Sequence, residues 1–353
     1  MKENESNDKP KRRVRYKGTH PRSFKEKYKE QAPDRYSQDV SKIIQQGKTP
    51  AGTHRPICVN EILEFLKLQP GQIGLDATLG YGGHALEILN RIAPNGKLFA
   101  TDADPIEMPK TVERLAASGF GENILFARRM NFAALERIIA ESGPLDFILA
   151  DLGVSSMQID NPERGFTFKY EGPLDLRLNP KSGISAAEFL CRVKEEELIE
   201  VLTEYSDEPF AEYIAHAICS TIKSKGKIET TTALRDVITG ALANEFHEDA
   251  ANEIKKSCQR SFQAIRIAVN REFDVLEEFL EKIPYALKPG GRVAILTFHS
   301  GEDRRVKKSF QYFQRAGIFS EYSKEPVRPS AEECFANPRA KPTKMRWAIK
   351  AEE

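Results

Sequence analysis

No apolar run in this chain approaches the ~20 residues of a membrane span, and no apolar signal core marks the N-terminus. Those two absences argue against a helical membrane protein and against secretion, and they lead us to expect the cytoplasm. Cysteine is scarce and scattered: Cys58, Cys191, Cys219, Cys258 and Cys334 form no CxxC pair. Neither a zinc site nor a disulfide framework is indicated, so no metal is expected and the thiols read as reduced and mostly buried. Aliphatic residues are few in the first 50 positions, which predicts a disordered arm. Net charge is nearly absent overall, at +1, but it is unevenly placed. Residues 1–50 hold 14 Lys/Arg against 7 Asp/Glu, while residues 181–258 hold 9 against 15. With 353 residues, 40% of them hydrophobic and 30% charged, the rest reads as globular, with room for one large domain or two smaller ones.

The most informative stretch is Gly74-Leu75-Asp76-Ala77-Thr78-Leu79-Gly80-Tyr81-Gly82-Gly83-His84. An apolar run from Ile73 ends on a carboxylate, three glycines follow within four positions, and Ala85 to Leu89 has helical periodicity. This predicts strand, glycine turn and helix, with backbone open to a ligand and free N–H groups at the helix start. Two cofactors fit. Gly80-x-Gly82-x-x-Ala85 with Asp102 downstream matches the looser dinucleotide fingerprint. Asp76, ahead of the glycines, suits a cationic amino group better than a pyrophosphate, as in S-adenosylmethionine (SAM), with Asp102 on the ribose hydroxyls.

Strand–helix alternation continues. Strands are predicted at Lys97–Thr101, before Asp102, at Ile124–Ala127 and at Asp146–Asp151. Asp104-Pro105 predicts an N-cap and an N1 proline, leaving Asp102 for ligand. Four such units imply a parallel, doubly wound α/β sheet whose ligands bind beyond the strand carboxyl ends. Asp76, Asp102 and Asp151 all fall there.

From about Met157 to Gln259 only a loop and helical patterns follow: Glu195–Tyr205, Glu208–Ile222, Thr231–Leu242 (capped by Thr230 or Thr231) and Glu248–Lys256. A long helix, Phe262 to about Ile283, leads to the turn Pro289-Gly290-Gly291, a strand Arg292–Phe298, a helix Glu302–Gln314 and a last strand Lys344–Lys350. The expected organisation is a basic arm (1–50), the first part of a cofactor domain (51–157), an inserted loop plus helical substrate domain (158–259) and the second part of the cofactor domain (260–353). Arm residues Lys11 to Lys17, with Tyr16, Phe24 and Tyr28 as stacking rings, suit RNA phosphates and bases, or form a solvated tail.

The motifs resemble the bacterial 16S rRNA cytosine-N4 methyltransferases, RsmH or MraW. The blocks are Asp76 to His84, Asp151 to Asp160, Glu163-Arg164-Gly165-Phe166, Gly172 to Arg177, Phe262 to Asn270, Phe298 to Arg304 and Asn337-Pro338-Arg339-Ala340. The resemblance implies a Rossmann-like class I SAM-dependent fold, methylation of a decoding-site cytosine, and 16S rRNA of the small ribosomal subunit or its precursor as partner. It implies SAM contacts at Gly82, Gly83, His84, Asp102, Phe132, Asp151 and Gln158. The sequence departs from the family where Ala85 replaces Ser, Gly301 replaces Leu, Ser206-Asp207-Glu208 replaces Gly-Glu-Glu, and Lys256-Ser257-Cys258 replaces His-Pro-Ala. It departs again over 341–346.

Cytosine N4 is a poor nucleophile, so its methylation needs in-line placement and an acceptor for the departing proton. Asp151 is the leading acceptor or orienting group, and His299, just past a strand end, is the second. Ser300-x-x-Asp303 resembles a capping box. Asp175 and Arg177 either hold the nucleotide or pair with each other. Gln263, Arg266 and Asn270 share a helix face, as a polar network or as RNA contacts. No cysteine sits at a strand end by the glycine turn, which disfavours methylation of carbon. The competing readings are a paralogue methylating another RNA or DNA amino group, and a SAM-binding ribosome-assembly factor without turnover.

Overall fold

The computed structural model describes residues 56–243 and 250–352. The expected arm, its stacking rings and Glu248 lie outside the described residues. Helix α1 (Val59–Leu66) precedes β1 (Ile73–Asp76), and then α2 (Gly83–Ile92), β2 (Lys97–Asp102), α3 (Glu107–Ala117), β3 (Leu125–Arg129), α4 (Leu135–Ser142) and β4 (Leu145–Asp151) alternate. The short α5 (Ser156–Asp160) opens a helical stretch containing α6 (Ala186–Arg192), α7 (Glu195–Ser206), α8 (Ala211–Lys225), α9 (Thr231–Leu242) and α10 (Ala250–Asn270). The chain returns through α11 (Glu272–Ala286), β5 (Leu287–Thr297), α12 (Ser300–Arg315), β6 (Phe319–Tyr322), α13 (Ala331–Ala336) and β7 (Lys344–Lys350).

The strands form one seven-stranded sheet in the order β3-β2-β1-β4-β5-β7-β6. Strands β1 to β5 pair in parallel, while β7 runs antiparallel to both β5 and β6. The parallel strands are near-continuous apolar runs because both faces are covered. Successive residues of β4 alternate between them: Ile148 and Ala150 pack with α4, α11 and α12, whereas Phe147 and Leu149 pack with α1, α2 and α3. A third core, from Phe166 through Leu202, Ile214, Ile238 and Ile265, belongs to the helical stretch. Among the described residues no helix is long and apolar enough to cross a membrane.

Several elements differ from the sequence expectation. The long helix after the insertion is two helices, because Arg271 adopts a left-handed conformation with φ 51° between α10 and α11. Its neighbours are held on either side. Arg266 grips Glu272 at 2.8 Å, and Asn270 donates to the Leu176 carbonyl and accepts from Leu178 N–H, both at 2.8 Å. Pro289-Gly290-Gly291 lies inside β5, where the pairing with β4 jumps from Leu145↔Leu287 to Phe147↔Arg292. Pro105 is not the first residue of a helix: α3 begins at Glu107, and Asp104 Oδ1 accepts the Ile106 and Glu107 N–H groups at 2.8 and 3.3 Å. Thr230 caps α9, accepting from Ala233 N–H.

Candidate active site

The glycine turn lies where its residue types require. Gly82 has φ 73°, and a Cβ there would come within 2.8 Å of Thr111 Cγ2, so only glycine fits. The Thr111 hydroxyl donates to the Gly80 carbonyl at 2.6 Å, and Leu79 N–H donates to the Thr101 carbonyl at 2.9 Å. The turn is thereby tied to β2 and α3, and α2 starts at Gly83 with its first N–H groups toward the turn.

Asp102, Asp76 and Asp151 stand at the carboxyl ends of β2, β1 and β4, three adjacent strands. Asp102 is not idle: Oδ2 accepts Gly80 N–H and Oδ1 accepts Asp104 N–H, each at 2.8 Å. Those bonds aim its remaining lone pairs, and burial raises its carboxyl. Asp76 accepts Thr78 N–H at 3.1 Å, and burial pushes it up to about 6. Burial, with the nearby Glu302 charge, pushes Asp151 up to about 7. Asp151 Oδ1 is buried with no hydrogen-bond partner, an orphan acceptor at the end of the strand. His84 is buried; its Nε2 donates to the Ile57 carbonyl at 2.9 Å, and its Nδ1 lies 3.6 Å from Asp151 Oδ2.

Gln158 sits in α5 within a capping box. Its Oε1 accepts Ser155 N–H at 2.9 Å, and its Nε2 donates to Asp104 Oδ2 at 2.8 Å. Phe132 is half-buried and packs edge-on against Phe279 at 5.0 Å. His299, not Ser300, caps α12, its Nδ1 accepting Glu302 N–H at 3.4 Å. A neutral ring in that position keeps its proton on Nε2, which lies 3.2 Å from Glu302 Oε1 without a hydrogen bond. That nitrogen is buried and faces the Glu302 carboxylate. Glu302, missed in the sequence reading, is buried and accepts Phe298 N–H at 2.8 Å. Burial alone would raise its carboxyl, but His299, the Phe298 N–H and Arg266 hold it below the usual range.

Other residues singled out from sequence turn inward. Arg177 and Asp175 form a two-pronged pair, at 2.8 and 2.6 Å. Gln263 donates to the Tyr205 carbonyl, so with Arg266 and Asn270 it belongs to a polar network. Asp303 is no cap partner. It binds Lys344 at 2.8 Å and Arg346 at 2.6 Å. Glu208, the one position of 206–208 that keeps the family's residue, sits in a buried junction with Arg260 and with Ser257, which is itself a departure. At the rim, Cys58, Glu61 and Glu333 bring ligand-type atoms within 4.8 Å of one another. Glu333 accepts Cys58 N–H there at 3.1 Å.

A doubly wound sheet in this order, with a glycine turn after β1 and acids ending β1, β2 and β4, defines a class I SAM-dependent methyltransferase fold. Residues 51–351 match the model of the MraW methylase family, and the chain belongs to that family. It is 60% identical over 341 residues to ribosomal RNA small subunit methyltransferase H 1 of Lachnoclostridium phytofermentans, covering 97% of this chain and 93% of that one. It is also 60% identical over 344 residues to ribosomal RNA small subunit methyltransferase H 2 of Alkaliphilus metalliredigens, covering 98% and 99%. An rRNA methylase structure from Streptococcus thermophilus superimposes with a TM-score of 0.39 at 13% identity, covering 83% and 96%.

Proposed function

We propose that this protein is a SAM-dependent methyltransferase that methylates the exocyclic N4 amino group of a cytosine in 16S rRNA, near the decoding site of the small ribosomal subunit or its precursor, in the cytoplasm. The observation that carries the reading is the row of three carboxylates on adjacent strand ends, one of them with a buried, unpartnered oxygen. The donor set fits SAM. Asp151 and Asp76 match its cationic groups, and Asp102 matches the ribose hydroxyls. Gly82 and Gly83 leave the backbone bare where side chains would strike Thr111 or Pro56. His84, Phe132 and Gln158 complete the contacts that the family resemblance assigns.

SAM, when bound, supplies an electrophilic methyl group. The chain's own residues do the rest. Asp151, ionised once the cationic cofactor lies beside it, accepts the proton released from the N4 amino group as the methyl leaves sulfur. His299, fixed as the cap of α12 just past the end of β5, stands beside the buried Glu302 and orients that carboxylate. The helical segment 158–259 forms the substrate side and holds the target base out of its stack.

The test is mass spectrometry of nucleosides from mapped 16S rRNA fragments, comparing cells with and without the gene. Loss of N4-methylcytidine at the decoding-site cytosine supports the assignment. Its persistence, with loss of a different modified nucleoside, moves the target elsewhere.

A further inference from the structure

The loop after β4 carries a residue that the cofactor contacts leave unused. Arg164 ends the short 3-10 turn Pro162–Arg164 and is 8% exposed. Its Nη1 donates to Asp104 Oδ2 at 2.8 Å, and its Nη2 reaches the carbonyls of Leu178 at 2.8 Å and Arg177 at 3.4 Å. Asp104 itself is 2% exposed. Burial would raise its carboxyl, yet the hydrogen bonds from Arg164 and Gln158 hold it below the ordinary range. Both bonds land on one oxygen. Asp104 Oδ2 takes Gln158 Nε2 at 2.8 Å alongside the Arg164 guanidinium.

Gln158 is therefore held from two sides, at Oε1 by Ser155 N–H and at Nε2 by Asp104. One amide hydrogen and one lone pair stay available for a ligand. The chain of bonds runs further in both directions. Asp104 N–H donates to Asp102, the strand-end acid beside the turn. Past Arg164, Leu178 N–H donates to Asn270 Oδ1, and Asn270 Nδ2 donates to the Leu176 carbonyl. Asn270 closes α10, the helix whose Phe262, Ala264 and Ile265 complete the helical core. One guanidinium thus joins the cofactor edge of the sheet to the helical segment. A buried ion pair is an expensive way to add stability, and its return is fixed geometry.

We propose that Arg164 is a positioning residue for methyl transfer: gripping Asp104 on one side and the 177–178 backbone on the other, it seats Gln158 at the cofactor edge and couples that edge to the helical segment. This rests on Gln158 being a SAM contact, as proposed above. Coupling of this kind is reciprocal, so whatever factor SAM binding adds to RNA binding through it, RNA binding adds to SAM binding.

The test is calorimetric titration of the full chain with SAM, comparing wild type, Gln158→Ala, Arg164→Met, Arg164→Lys, Asp104→Asn and the Gln158→Ala/Arg164→Met double variant, with thermal unfolding of each. Gln158→Ala and Arg164→Met should each weaken SAM about tenfold. The double variant should be no weaker than either single one, because both act through one group. Arg164→Lys, which still reaches Asp104, should recover part of the loss. Asp104→Asn keeps an acceptor for Ile106 N–H but puts an amide where two donors converge. It should match Arg164→Met, and it carries the test if Arg164→Met does not fold. If Gln158→Ala weakens SAM while Arg164→Met and Asp104→Asn leave it unchanged, the proposal is wrong and the cofactor reading stands. Multiplying losses in the double variant also overturn it. If Gln158→Ala itself leaves SAM affinity unchanged, the cofactor role of Gln158 falls and the proposal falls with it.

Discussion

His84 stands with one ring nitrogen on the Ile57 carbonyl and the other 3.6 Å from an Asp151 carboxylate oxygen. The ring is neutral, since burial lowers its proton affinity, while burial raises Asp151 to about 7 and Asp76 to about 6. The signs follow. Without ligand, the folded chain keeps protons on both carboxyls that the unfolded chain has released above their ordinary value of 3.8. Their contribution to stability therefore falls as pH climbs toward 7, while His84 gives an opposing slope below 6.5. A cationic ligand beside Asp151 favours its ionised form and expels the proton. SAM affinity should rise between about pH 5.5 and about pH 7.5, with proton release seen by calorimetry in buffers of different ionisation enthalpy. Asp151→Asn should flatten that dependence in whatever binding it retains. An affinity that does not change with pH in the wild type would contradict the assignment.

The glycine turn should be as intolerant as its geometry implies. Gly82→Ala forces a side chain into a left-handed position and against Thr111, costing about 1–2 kcal/mol of backbone strain alone. SAM affinity should drop more than stability, because the turn must shift away from the ligand. Parallel measurement of Kd and Tm checks this, and equal effects on both would show that the turn only supports the fold.

Gly301 stands where the family resemblance expects leucine, and it lies against Phe273. A Cβ at 301 would come within 2.6 Å of that ring. The ring is itself pinned by the Arg305 guanidinium at 3.5 Å and by Tyr205 at 5.1 Å. Gly301→Leu should destabilise by about 1–3 kcal/mol through overpacking, despite the better helix propensity of leucine. Adding Phe273→Ala should restore part of the loss. Urea unfolding of the single and double variants measures both.

Arg260 is the partner that makes Glu208 tolerable inside the protein. The carboxylate is fully buried and is met by Arg260 Nε at 2.8 Å and Ser257 Oγ at 3.0 Å. Arg260→Ala leaves the charge unpaired and should cost about 3 kcal/mol. Arg260→Ala with Glu208→Gln should cost less than Arg260→Ala alone. Chemical unfolding midpoints across the cycle decide the matter.

Local pattern by itself determined the strand–turn–helix around Gly82, the later strand–helix units and the three carboxylates that end strands. Short apolar runs, a period of 3.6 residues and a glycine cluster are properties of short segments. Helix caps were less legible: Thr230 was readable, but His299 rather than Ser300 is the cap of α12, its ring nitrogen accepting Glu302 N–H while Asp303 N–H donates to the His299 carbonyl. The break at Arg271 was hidden, because the sequence on both sides is helical and the contacts that hold it, to Glu272, Leu176 and Leu178, are not all local. Only the tertiary structure decided which side chains serve the site. It set β2, β1 and β4 side by side, so that Asp102, Asp76 and Asp151 share one edge. It left Asp151 Oδ1 without a partner, spent Arg177, Arg266 and Arg346 on internal carboxylates, and brought Arg164 from 60 positions away onto Asp104. A charged side chain carries no local sign of its partner. That choice is made by long-range packing, where burial makes an unpaired charge too costly to leave.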